Sequence, residues 1–272
     1  MNISIIIVNY NTAGLLQNCI HSILDNTKGL DCEVIVVDNH STDGSQNMLR
    51  KMFPQVLLFH NKENLGFSRA NNLGYSHSKG KYLLFLNSDT LILDSAIEKM
   101  INYLKAHPQV GLVGPKILNY QHQPTRSYMR FLDIKTLFLG SKYFKFFFDV
   151  EKYQMHFPSY NFSSNQYVPW ISGACLMLKR NIFQKAGLFD ESYFLYFEDM
   201  DLCLQIQKLG YQIAYLPAAE IIHLFGGSSS GISEQLNQVH KNSMLIYFKK
   251  NFSDFHYWIA KLYLSLFYKF TQ

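Results

Sequence analysis

The sequence predicts an α/β fold, a mostly parallel, Rossmann-like sheet flanked by helices, on three observations. Apolar runs at Ile3–Val8, Val34–Val37, Val56–Phe59 and Tyr82–Leu86 are each followed by turn residues and a helix-like segment, at the interval of one βα unit. Such alternation argues for parallel strands with helices on both faces. A second, shorter strand and helix alternation follows Gln166. Finally, 272 residues, 48% of them apolar and 17% charged, are enough to bury the core of one large domain with appendages.

Taken in order, "MNISIIIVNYN" is a first strand: it has no basic lead-in and no small-residue cleavage site of a signal peptide. In "HSTDGS", Asp43 is placed to cap a helix running through Leu49. Ser95 to Ala106 is a helix stopped by Pro108, and "VGLVGP" is a further strand. From Tyr120 to Gln166 the pattern loses its period; this stretch is rich in Phe and Tyr and carries Lys135, Lys142 and Lys145, as expected of an insertion over a site or partner. "SGACLMLKR" is then a strand, Asn181 to Ala186 a helix, "DLCLQIQKLG" a helix ended by Gly210, and "YQIAYLP" a strand. Leu202, Ile206 and Leu209 fall on one face of that second helix. Glu198 and Asp199 therefore lie at its N-terminus, where the helix dipole favours negative charge.

Composition excludes several classes. No apolar run approaches the roughly 18 residues of a membrane-spanning helix, and Cys19, Cys32, Cys175 and Cys203 are scattered without a zinc-like or paired spacing. A cytosolic protein with reduced thiols is expected. The net charge of +5 gathers at the end: from Lys241 onward there are five lysines against the single acid Asp254, with seven aromatics between Phe255 and Phe270. That tail suits an anionic surface, and the expected location is peripheral, on the inner face of the cell membrane. No nucleic-acid partner is expected.

Ligands of open α/β sheets bind beyond the carboxyl ends of the strands. Three polar clusters lie at such ends: Asn9 to Asn11, Asp38 to Gly44, and Asn87 to Thr90. They are expected to converge on one crevice. Neither GxGxxG nor GxxxxGK[ST] is present, which disfavours a dehydrogenase or an ATPase. Phosphates would then be held through a hard divalent cation, Mg²⁺ or Mn²⁺, on Asp89. Taken singly, each residue has a plainer reading: Asp38 as a turn former, the acids of "EDMD" as dipole partners, His223 as a strand-end histidine.

In order and spacing together, "SIIIVNYN", "VIVVDNHSTDGS", "NLGFSRANNLG", "YLLFLNSDT", "WISGACLMLKR", "GLFDESYFLYFEDMDLCLQIQKLGY" and "HLFGGSS" resemble the family 2 inverting glycosyltransferases of GT-A fold, in particular the rhamnosyltransferase-like members that build bacterial surface polysaccharides. The resemblance covers roughly residues 1–230, leaving 231–272 as a helical, aromatic extension. It implies a nucleotide-binding half at 1–118, an aromatic insertion at 119–166 and an acceptor half at 167–230.

The resemblance also implies roles. Asp38 would bond the nucleotide base, with Asn9 and Asn11 lining the pocket and Asn64, Gly66 and Asn71 shaping the loop beneath base and ribose. Ser88 and Asp89 would lie along the nucleotide. Asp89 matches the last acid of the family's DxD metal motif, whose first acid is here Asn87, and His223 would complete the metal shell. Asp199 matches the catalytic base, with Glu198 as the alternative, and Trp170, Gly173 and Tyr196 would line the sugar and acceptor pocket. The donor would be a nucleotide-diphospho-sugar, dTDP-rhamnose or a UDP-hexose, and the acceptor a lipid-linked or growing surface glycan. Aromatic walls suit a sugar ring, exclude water and raise a carboxylate pKa toward that of a base. Asp201, deeper in the first turn, suits a structural pairing with a Lys or Arg. A sugar nucleotidyltransferase would want a Gly-rich basic loop where "VNYNTAG" stands. An inactive glycan-binding relative is countered by the intact Asp89, Asp199 and His223.

Overall fold

The computed structural model describes residues 2–139, 161–224 and 234–267. The central part of the aromatic insertion, the "GGSS" stretch and the last five residues lie outside them. The elements are β1 (Ile3–Asn9), α1 (Ala13–Asn26), β2 (Cys32–Asp38), α2 (Ser45–Met52), β3 (Leu57–His60), α3 (Phe67–Ser76), β4 (Tyr82–Asn87), β5 (Thr90–Ile92), α4 (Ala96–Ala106) and β6 (Val110–Leu118). After them come β7 (Tyr128–Met129), α5 (Ile134–Leu139), β8 (Gln166–Tyr167), β9 (Trp170–Ile171), β10 (Cys175–Lys179), α6 (Arg180–Ala186), α7 (Glu198–Lys208), β11 (Gln212–His223), α8 (Glu234–Asn251) and α9 (Asp254–Phe267).

The main sheet runs β3-β2-β1-β4-β10-β6-β11-β5, with β8 on β11. β1 pairs in parallel with β2 and β4, β2 with β3, and β6 with β11, whereas β10 and β5 run antiparallel to their neighbours. Both faces are covered, which is why the strand segments read as continuous apolar runs. Ile3, Ile5 and Ile7 of β1 pack with Leu16, Ile20 and Ile97 of α1 and α4, while Ile6 joins Ala70 of α3 and the aromatic core of Phe85, Phe183 and Phe189.

Three details differ from expectation, each for a local reason. Gly44, at φ 88°, occupies the cap position of α2, a left-handed conformation that costs glycine little. The Asp43 carboxylate accepts instead from the Ser45 N–H (3.1 Å) and hydroxyl and from the Ala13 N–H (2.7 Å), tying together the starts of α1 and α2. Leu209 is 43% exposed, because α7 has already ended when the apolar period reaches it.

Strand β11 does not stop at Pro217. A register shift between Leu216 and Glu220 places the proline at an irregularity, where its missing N–H breaks no ladder bond. The strand then continues to pair His223 with Thr90. In α9, Ala260, Tyr263 and Leu264 are buried while Phe255, Trp258, Leu262 and Leu266 are 60% to 70% exposed. The helix therefore packs one face on α5 and α8 and turns an apolar stripe outward. Among the described residues no helix is long and apolar enough to cross a membrane.

Candidate active site

The three strand-end clusters do converge. Asn9 at the end of β1 donates its amide to Asp38 Oδ1 (2.7 Å) and Ser41 Oγ (2.9 Å), and Thr12 bridges Asn9 Oδ1 (2.7 Å) to Ser88 Oγ (2.8 Å). Asn11, at φ 54°, accepts from the Thr42 N–H at 2.8 Å. Asp38 is fully buried, and its second oxygen accepts from the Ser41 N–H (3.0 Å) and Gln46 (2.9 Å), with His60 Nδ1 at 3.3 Å. Burial works to raise its pKa, but the hydrogen bonds from Ser41, Asn9 and Gln46 outweigh it and hold the carboxyl below its usual range. Asp38 is thus a fixed anion at neutral pH. Ser41, Gln46 and His60 were not singled out in the sequence, since nothing in their local spacing marks them.

Asn64 and Gly66 form the next wall. Asn64 Oδ1 accepts the Gly66 N–H (3.0 Å), and the Gly66 carbonyl accepts from Asn39 (3.1 Å). At φ 80°, a Cβ on Gly66 would collide with the Phe194 carbonyl. The close approach that demands glycine is therefore to the Phe194 backbone, whose carbonyl also accepts the Phe67 N–H (2.6 Å). This joins the β2–α3 side of the crevice to the segment preceding α7. Asn71 gives its amide to the Phe67 carbonyl of its own helix (3.0 Å), and it is Asn72 that bridges to Phe189 (2.8 Å).

Asp89 and His223 meet because β11 reaches β5. His223 Nε2 lies 3.1 Å from Asp89 Oδ1 and 3.4 Å from the Asn87 amide, and both Asp89 and His223 are buried. An oxygen and an imidazole nitrogen so placed, beside the Asn9–Ser88 cluster, suit a hard or borderline divalent ion. Among the described residues no third His, Cys, Asp or Glu joins them, so further ligands would have to be water or phosphate oxygens.

The third group lies at the start of α7. Tyr196 and Phe197 both adopt φ 71°, uncommon for bulky residues, and Phe197 serves as the helix N-cap. Asp199 accepts from the Gly173 N–H at Oδ2 (2.6 Å) and from the Met200 N–H at Oδ1 (2.7 Å). A Cβ on Gly173 would lie 3.2 Å from the Asp199 carboxylate, so this glycine seats Asp199. Burial lifts Asp199 to a pKa of about 6, against the pull of those two N–H bonds. Burial and the charge of Asp199 push Glu198 well above the ordinary range, and its Oε2 has no hydrogen-bond partner among the described residues. Trp170 departs from the expected sugar pocket: it is 7% exposed, sits in the apolar core and spends its indole N–H on the Arg130 carbonyl (3.1 Å), as a buried indole must.

Helix α8 braces this start. Ser243 donates to the Leu195 carbonyl (2.7 Å), and Lys250 bridges Asp190 and Asp201, each at 2.7 Å. The expected basic partner of Asp201 is thus Lys250, a choice among many lysines that spacing could not make. The His240 ring packs at 5.2 Å from both Tyr196 and Phe197, and burial lowers its pKa to about 4, leaving it neutral near pH 7.

Comparisons with known proteins identify the family and the fold. A sequence model described as "Glycosyl transferase family 2" matches residues 4–187. An N-acetylglucosaminyl-diphospho-decaprenol L-rhamnosyltransferase of Mycobacterium tuberculosis is 27% identical over 248 residues, 86% of this chain and 79% of that protein. The rhamnosyltransferase WbbL of Escherichia coli is 26% identical over 170 residues, 58% of this chain and 60% of that protein. Among solved structures, the mannosyltransferase PcManGT of Pyrobaculum calidifontis, in complex with GDP-Man and Mn²⁺, superposes with a TM-score of 0.63 at 19% identity, covering 97% of this chain and 70% of its own. GalNAc-T7 with UDP, GalNAc and Mn²⁺ gives 0.66 at 17% identity, covering 90% of this chain, which spans 47% of that one. The fold is of GT-A type.

Proposed function

We propose, for a chain that belongs to glycosyl transferase family 2, that it moves a sugar from a nucleotide-diphospho-sugar to a glycan hydroxyl by direct, inverting displacement, with Asp199 as the base. The observation that carries the base assignment is a half-buried carboxylate seated by two backbone N–H groups and raised by burial to a pKa of about 6. That value suits a general base near neutral pH. The acceptor O–H proton passes to Asp199 as the acceptor oxygen bonds to the anomeric carbon. The bond from that carbon to the diphosphate breaks, and the configuration inverts. Burial and the charge of Asp199 raise the Glu198 pKa and so favour its neutral form beside the acceptor. In this reading residues 1–118 bind the nucleotide, 119–166 are the insertion, 167–230 present the acceptor, and 231–272 form the extension. A base edge reaches Asp38 by displacing Gln46 or His60.

Asp89 and His223 fit a divalent cation by donor type, with donor phosphates completing the shell. When such an ion is bound, the chemistry supplied is charge neutralisation of the leaving diphosphate. With Asn87 in place of a second acid, the phosphates themselves are needed for tight binding. Mn²⁺ should therefore tighten nucleoside-diphosphate binding measured by titration calorimetry, and Asp89→Asn should abolish that increment while leaving the melting temperature near that of the wild type. Equal binding with and without a chelator would contradict this assignment.

The relatives that act as rhamnosyltransferases favour dTDP-rhamnose as the first donor to try, ahead of a UDP-hexose, and a lipid-linked or surface-polysaccharide acceptor. Nucleoside-diphosphate release, dependent on such an acceptor, is the experiment that tests the transfer. A lipid-linked acceptor also gives the α9 stripe a purpose: Phe255, Trp258, Leu262 and Leu266 face outward, with Lys261 against the Trp258 ring at 4.7 Å, the character of an interfacial helix. Because Tyr263 packs on Phe138 (5.1 Å), removing α9 would disturb the core, so point changes on its outer face are the cleaner test. Trp258→Glu with Leu262→Glu should release the full chain from phosphatidylglycerol vesicles in a sedimentation assay at low salt, with donor binding unchanged. Wild-type chain that ignores such vesicles would refute the membrane contact.

A further inference from the structure

We infer that a second anion site, for a phosphate-type group, lies at the end of the sheet opposite the donor crevice, formed by Lys81, Lys105 and Lys179 around the anchored Arg180. A cavity of about 580 Å³ opens there, lined by these four cations with Tyr82, Asn181 and Gln184 and by no acidic residue. Three elements bring the cations together. Lys81 precedes β4, Lys179 ends β10 opposite Tyr82, and Lys105 is in the last turn of α4. The Arg180 N–H donates to the Lys81 carbonyl (3.0 Å), which fixes the two chain segments side by side.

Arg180 is spent on structure: its guanidinium donates to the Gly80 carbonyl and Ser78 Oγ, both at 2.7 Å, and lies over the Tyr75 ring at 5.0 Å. It is a rigid wall. The lysines are less committed: Lys81 lies 5.9 Å from the centroid of the Tyr82 ring, and among the described residues none of the three forms an ion pair, whereas Lys116 and Lys250 each meet a carboxylate at 2.6 Å or 2.7 Å. Burial and the neighbouring charge of Lys81 push the Lys179 pKa below that of an ordinary lysine. Like charges drawn together without a counter-ion cost stability, and a multiply charged oxyanion removes that cost.

The site is separate from the donor crevice. Strand β4 runs from Tyr82 at the cavity to Asn87 at the crevice, about 17 Å at the rise of an extended strand. The shared chemistry is a phosphate group, whether carried by an anionic phospholipid headgroup or by a soluble phosphate ester.

The test uses the full chain and a triple variant, Lys81→Gln, Lys105→Gln and Lys179→Gln, with inorganic pyrophosphate as probe in the presence of EDTA to silence metal-dependent binding elsewhere. Wild type is expected to bind pyrophosphate in a salt-sensitive manner, and the triple variant at least about tenfold more weakly, with donor-nucleotide affinity unchanged. Without pyrophosphate the variant should melt no lower than wild type, since glutamine keeps most of each apolar stem and the relief of repulsion offsets the loss of the distant Lys81–Tyr82 ring contact; a purely structural lysine cluster would melt lower. Equal pyrophosphate binding by the two proteins, no binding by either, or a lowered melting point would overturn the site. Once pyrophosphate binding is lost in the variant, phosphatidylglycerol vesicles decide the source. Weaker retention of the variant than of wild type points to lipid headgroups, and equal retention of the two proteins, as the outer face of α9 alone would give, points to soluble phosphate.

Discussion

Asp199→Asn is expected to lower turnover by roughly 10²–10⁴-fold, the weight of a positioned general base, with donor affinity close to wild type. The expectation rests on position. Asp199 is held from both sides, by the Gly173 and Met200 N–H groups, so its lone pairs point in a set direction. An asparagine can satisfy one of those donors with its carbonyl but cannot take a proton. Glu198→Gln is the informative partner variant. Burial and the Asp199 charge raise the Glu198 pKa and favour its protonated form, which an amide mimics, so amide replacement should cost far less turnover. Near-normal turnover in Asp199→Asn with a dead Glu198→Gln would move the base back by one residue. Activity in both would end the catalytic reading of this helix start.

The second large effect is on stability. Lys250→Met should destabilise the fold by about 3 kcal/mol, the cost of leaving a buried charge without its partner. The Asp201 side chain is 3% exposed and loses an ammonium group at 2.7 Å, keeping only the Asn251 and Gln205 amides. The reverse change should cost less, about 1 kcal/mol, because in Asp201→Asn the lysine is still 35% exposed and still paired with Asp190. Removing both partners should recover part of the Lys250→Met loss. Urea unfolding of the two single variants and the double variant measures all three.

The sign of the pH dependence follows from the same contacts. Burial alone would raise Asp190, but hydrogen bonds from Lys250 and Ser192 hold it below the ordinary carboxylate range. Its contribution is therefore present above that range and lost as pH falls through the lowered value. Lys250 is raised by Asp190 and Asp201 against the effect of burial, so its contribution is present below the ordinary lysine range and lost as pH rises through the raised value.

What could be read from sequence was what depends on period and on strand ends. The βα alternation fixed where Asn9, Asp38 and Asp89 would face, because side chains at the carboxyl ends of neighbouring parallel strands share a crevice. Contacts across long separations were not legible. The pairing of Asp201 with a base was expected, yet Lys250 lies 49 residues away, and only the packing of α8 selects it. Gly66 was read as a close backbone approach beneath base and ribose, whereas the close neighbour in the structure is Phe194, a contact set by tertiary packing. Pro217 disguised the length of β11, and with it the reason His223 arrives at Asp89. Trp170 illustrates the opposite error: an aromatic near a proposed site is more often part of the core, and burial alone distinguishes the two.

The central claim is that Asp199 takes the acceptor proton, and the pH profile of acceptor-dependent nucleoside-diphosphate release at saturating donor, from about pH 5 to about pH 8, tests it most directly. With the base at a pKa of about 6, the rate should rise about tenfold per pH unit below that value and level off above it. The inflection should vanish in Asp199→Asn. A profile that is flat across this range, or one whose inflection survives unchanged in Asp199→Asn, would contradict the claim.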